Sequence, residues 1–258
     1  MTAGHYSTLA AVLAGFAFTA LMFLVSNRRD GEHHKHFGNA YLVLIAAFLS
    51  LILSSLGYSV LAGDQESSGR ASVEEVVLGI GFALSGVLVV YAIVLTLDAS
   101  AAHSAAVSGG TVSKEDAVAA YARNVLAVFI NPLATLYLFL GMGDYQSARY
   151  GPSHPYAEPL QIYGWTLVGL QIMASALLYW RWYKKAGAWT GSRQDKTVKL
   201  LSKTFLAITL LSAVGFAIIE SQFSACGTLS PVIPAAVLTV AVLATGTFTY
   251  VLAHTHPG

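Results

Sequence analysis

The sequence predicts an all-α integral membrane protein, a single domain built as a bundle of seven transmembrane helices. Three observations predict it. Seven apolar stretches fill residues 1–258, each able to supply the roughly 20 residues that cross a hydrocarbon core. Only 10% of the residues are charged while 55% are hydrophobic, against the roughly 25% charged of a soluble domain. Lys and Arg, finally, concentrate in alternate connections. In lipid every backbone N–H and C=O needs an internal partner, so the apolar stretches read as helices.

The first span, at about 6–26, has no Lys or Arg before it and is followed by Arg28 and Arg29. That is the reverse of a cleaved secretory signal, so it is expected to stay in the membrane. Its connection carries His33, His34, Lys35 and His36. No cysteine or paired acid accompanies these histidines, so they read as a solvated basic loop and no metal or other cofactor is expected. The second span, at about 38–62, carries a stripe of Ser50, Ser54, Gly57 and Tyr58. The third, at about 73–97, opens on Glu74 and Glu75, acids that complement a helix N-terminus. Gly79 with Ala83 and Gly81 with Ser85 give it small-residue faces for close packing.

Ala99–Gly110 reads as a mobile connection of small residues, and Ser113-x-x-Asp116 as the capping box that starts the next helix. The fourth span, at about 118–142, contains Asn131-Pro132 in its middle. Proline removes a helical hydrogen bond and bends the helix, so Asn131, Pro132 and Thr135 are expected to form a polar notch near the bilayer midplane. Pro159 suits the first turn of the fifth span, at about 160–182, in which Gln171 and Ser175 form a polar pair. Trp180, Trp182 and Tyr183 close that span beside Arg181 and Lys184, as interfacial aromatics do. The sixth span, at about 204–225, presents Thr209, Ser212, Phe216 and Glu220 at helical spacing. The seventh, at about 232–253, contains no lysine, so a retinal Schiff base has no anchor there.

The connections at 27–37, 98–124 and 181–203 hold all but Arg70 and Arg149 of the 14 Lys and Arg residues. The positive-inside rule then places the N-terminus outside and the C-terminus in the cytoplasm of a plasma membrane. A shift of 158 positions lays Thr8-Leu9 on Thr166-Leu167, and Leu53–Tyr58 on Leu211–Phe216. This raises a 3+1+3 parallel repeat as one arrangement, although apolar helices also align by chance. A formal charge of +1 makes nucleic acid an unsuitable partner. Cys226 is the single cysteine, so no intrachain disulfide forms.

Ionisable residues within spans are costly and usually face a bundle interior or a water-filled cavity. Glu220 is therefore expected either to bind an ion at an outer gate or to rise to the interface. Ser54, Tyr58 and Ser212 would line the path below it, and Asn131, Pro132, Thr135 and Gln171 its deeper part. Glu74 and Glu75 belong to an acidic outer mouth that concentrates cations. The expectation is a channel or transporter for a small cation or proton, with the bilayer as the other partner. Small-residue faces pack within one chain or between copies in a homo-oligomer. A non-transporting membrane subunit or sensor is the alternative class, and a lipid-modifying enzyme a further one. No clustered nucleophile, base or metal set supports enzyme activity in the sequence.

Overall fold

A computed structural model describes residues 3–26, 33–63, 69–107, 118, 121–122, 125–150, 158–184, 191–222 and 230–254. The long α-helices among these residues are α1 (Ala3–Ser26), α2 (His33–Leu61), α3 (Gly69–Val107), α4 (Asn131–Tyr150), α5 (Glu158–Lys184), α6 (Gly191–Gln222) and α7 (Val232–His254). There is no strand among the described residues. A π-helical stretch, Leu126–Ile130, runs directly into α4. Six of the helices (α1, α2, α3, α5, α6 and α7) are long and apolar enough to cross a membrane, as a multi-pass membrane protein requires. The fourth expected span begins partly outside the described residues, and α4 continues to Tyr150, beyond its expected end.

Helix α3 is the axis of the bundle. Two thirds of its most apolar window (67%) is buried, against 17% for α1. It is apolar on nearly all sides, as a helix surrounded by others must be. It packs against α2 and α6 on one side and α4 and α7 on the other. Two sub-bundles result, α1–α2–α3–α6 and α3–α4–α5–α7, with α3 shared between them. Helices α6 and α7 are consecutive in sequence yet touch along little of their length. Tyr91 of α3 meets the Phe248 ring of α7 edge-on, with centroids 4.8 Å apart. Phe205 of α6 lies 5.8 Å from the same ring.

Tyr6 near the start of α1 stacks on Tyr58 near the end of α2, so these two helices run antiparallel. Leu138 of α4 approaches Gly79 of α3. Trp165 of α5 meets the Phe139 ring of α4 edge-on, with centroids 5.0 Å apart. The packing of the first three helices is not repeated in the last three. Helices α1 and α2, and α2 and α3, pack closely, whereas α6 leaves its chain neighbours and seats against α2 and α3.

Four local expectations are corrected. Ala99–Val107 is helical and continues α3, because alanine is the strongest helix former and the stretch is Ala-rich. His33 starts α2, which places the three histidines in its first turn and not in a loop. Helix α6 begins at Gly191, so much of the basic 181–203 segment is helical. Helix α3 begins at Gly69, which moves Glu74 and Glu75 out of the first turn and removes the dipole explanation for them. The Ser113 capping box lies outside the described residues.

Candidate functional site

Among the described residues three polar clusters stand out. The first joins α3 to the end of α6. Arg70 Nε lies 3.6 Å from Glu74 Oε1, one helical turn along α3. Its Nη2 lies 3.5 Å from Glu220 Oε2, and its Nη1 donates to the Glu220 carbonyl at 3.5 Å. That carbonyl is among the last four of α6, which lack intrahelical donors. The Arg70 side chain is 14% exposed, that of Glu74 0% and that of Glu220 39%. One guanidinium thus faces a fully buried carboxylate and a carboxylate open on one side. Glu75 is half-buried beside them. Asp64 and Glu66, acids of the connection that precedes α3, lie outside the described residues.

The second cluster lies where α2, α3 and α6 meet at Gly81. A Cβ at Gly81 would stand 3.0 Å from Thr209 Cγ2, 3.1 Å from Ser212 Oγ and 3.4 Å from Ser54 Oγ. The absence of a side chain there lets three backbones converge. Ser212 Oγ donates to the Thr209 carbonyl at 2.8 Å, and Thr209 Oγ1 to the Phe205 carbonyl at 3.0 Å. Ser50 and Ser54 are buried, and their hydroxyls have no partner among the described residues. Ser212 precedes Glu220 by eight positions, roughly 12 Å along α6. Tyr58 sits between the two levels, buried, stacked on Tyr6 at 5.2 Å and edge-on to Phe82 at 6.1 Å.

The third cluster joins α4, α5 and α7. Asn131 Nδ2 donates to Thr249 Oγ1 at 2.6 Å, and Thr135 Oγ1 lies 3.4 Å from Thr245 Oγ1. Gln171 of α5 approaches the same helix, its Oε1 lying 3.5 Å from a Cβ placed on Gly246. Asn131 Oδ1, Gln171 Nε2 and Ser175 Oγ are buried without a partner among the described residues. The π-helical turn explains how Asn131-Pro132 is accommodated. A widened turn before Pro132 relieves the clash between its ring and the carbonyl four residues earlier. Thr249 lies near the end of the apolar window Val232–Val251 of α7.

The structure therefore brings Glu74 together with Glu220, Ser54 with Ser212, and Asn131 and Thr135 with the α7 segment that Gln171 approaches. It does not join these groups into one line, because α3 stands between the second cluster and the third. Sequence reasoning missed Arg70 as the organiser of the first cluster, although its i,i+4 spacing to Glu74 was visible. It also missed Thr245 and Thr249, whose own i,i+4 spacing in the last span was the available signal. No protein-family model, curated protein or solved structure matches this chain.

Proposed function

We propose that this protein moves a small cation, most simply a proton, across a plasma membrane, with its N-terminus outside and its C-terminus in the cytoplasm. The observation that carries this reading is the shared ion pair of Arg70 with Glu74 and Glu220. The three side chains sum to one negative charge when all are ionised, and one carboxylate is fully buried. A buried charge is costly unless compensated, so a proton or monovalent cation arriving at Glu220 lowers that cost. Neutralising Glu220 also loosens its hold on Arg70 and leaves the guanidinium to Glu74. The cross-link between α3 and α6 then opens, coupling ion arrival to helix separation. The Ser54 and Ser212 hydroxyls at Gly81 would serve as the next polar station, on the same side of α3; the Asn131 cluster lies across α3 and is not part of this path.

The test is flux in proteoliposomes of purified protein, followed with proton- and potassium-sensitive dyes under an imposed gradient. Flux above empty liposomes, lost in Glu220→Gln, is the expected result; absence of flux for both ions overturns the reading. Orientation is tested separately with the single cysteine. An impermeant maleimide added to intact cells should label Cys226, and protection until lysis reverses the assignment.

A second reading, a non-transporting membrane subunit, is supported by the separation of the second and third clusters across α3. In that case the ion pair only locks helices, and a partner should co-purify in mild detergent while flux stays at background.

A further inference from the structure

We infer that the cleft between α6 and α7 is a binding groove for an anionic phospholipid. Helices α6 and α7 each lean on α3 but hardly on each other, leaving a laterally open trough. Two cavities of ≈ 310 and ≈ 490 Å³ occupy it and share Ile208 and Val240, so they form one continuous groove. Val77 and Ile80 of α3 make its floor over the upper part. Along α6 the lining runs from Thr197 to Ile219, roughly 33 Å at 1.5 Å per residue. A hydrocarbon core is about 30 Å thick, so the groove runs the depth of the membrane.

The charge at one end selects the occupant. Lys196 immediately precedes the lining residue Thr197, and Lys203 immediately precedes the lining residue Thr204; both lysines are exposed. Long lysine side chains keep their stems on apolar surface and carry the charge to the headgroup layer. An acyl chain laid along Leu200, Leu243 and Val251 would bring its phosphate within their reach. The trough is nearly all apolar, with few groups to hydrogen-bond a docking helix, whereas helix pairing in lipid relies on close packing and such bonds. A lipid tail needs no such bonds. The cations supply the preference for an anionic headgroup. The inference does not depend on transport.

The experiment uses purified full-length protein in a neutral detergent, with dioleoyl phosphatidylglycerol or dioleoyl phosphatidylcholine added at equal concentration. Native mass spectrometry counts retained lipid, and thermal unfolding reads stabilisation. Phosphatidylglycerol should be retained more and raise Tm further. Lys196→Gln and Lys203→Gln should each weaken its binding about fivefold, from roughly the contribution of one cation near an anionic headgroup, and leave phosphatidylcholine unchanged. Thr247→Phe, at an exposed lining position, should displace the acyl chain and abolish the difference while the protein stays folded. Equal retention of both lipids overturns the inference, as does wild-type binding by Thr247→Phe. A protein that runs as a dimer, and as a monomer once Thr247 is replaced, assigns the groove to a second copy and overturns it too.

Discussion

Arg70 of α3 lies 3.5 Å from Glu220 of α6, a pairing across 150 positions in which each residue opposes its own helix. A cation in the first turn of α3 and an acid in the last turn of α6 both work against the local macrodipole. Neither placement serves its own helix. Brought together, the guanidinium caps the negative end of α6 and the carboxylate answers the positive charge at the start of α3.

Removing the shared cation should expose this dependence. Arg70→Gln leaves Glu74, 0% exposed, without that partner, and breaking such a buried pair costs about 3–5 kcal/mol. Adding Glu74→Gln should recover much of that loss, because the stranded charge is then gone. Thermal unfolding of the two single variants and the double variant in detergent gives the coupling; simple additivity of the losses would show the two residues to be independent.

Glu220→Gln is expected to behave differently. Its side chain is 39% exposed, so the ion pair contributes only about 0–1 kcal/mol and the variant should fold normally. Flux should nevertheless fall to the level of empty liposomes. Wild-type flux at wild-type expression would remove Glu220 from the path.

Gly81 and Gly86 make a matched pair on α3. A methyl at Gly81 meets Thr209 and Ser212 at 3.0 and 3.1 Å, whereas nothing lies within 4 Å at Gly86. Gly86→Ala should stabilise by up to about 1 kcal/mol through helix propensity. Gly81→Leu should cost about 1–3 kcal/mol or more by forcing α2, α3 and α6 apart. Equal melting temperatures for Gly81→Leu and the parent would refute the close approach.

The Asn131–Thr249 bond ties the π-helical turn to α7. Thr249→Val and Asn131→Ala should each cost about 0.6–1.7 kcal/mol, the range measured for side-chain hydrogen bonds between membrane helices. Combining them should cost little more than one alone, since both remove the same bond. Unfolding in detergent measures all three; full additivity would argue against the pairing.

The helical character, the approximate spans and the candidate polar residues were legible because each rests on local chemistry. Hydrophobic length marks a span and a charged or hydroxyl side chain inside it stands out, wherever the rest of the chain goes. Helix ends were less legible. The Ala-rich stretch after Leu97 reads as a linker by residue size and as a helix by propensity, and propensity decided it. Glu74 looked like a first-turn acid because the start of α3 was placed four residues late. That Asn131 would meet Thr249 of α7 was not legible, because its own span carries no record of which helix packs against it.

The sequence by itself determined the solvent and the run of apolar helices, because burying that much apolar surface and pairing that much backbone leaves one class of solution. Only the tertiary structure decided which polar groups meet. Partner choice among apolar helices depends on small residues such as Gly81 and on single long-range pairs such as Arg70 with Glu220. Those terms are set by shape in three dimensions, and hydropathy along the chain carries no record of them.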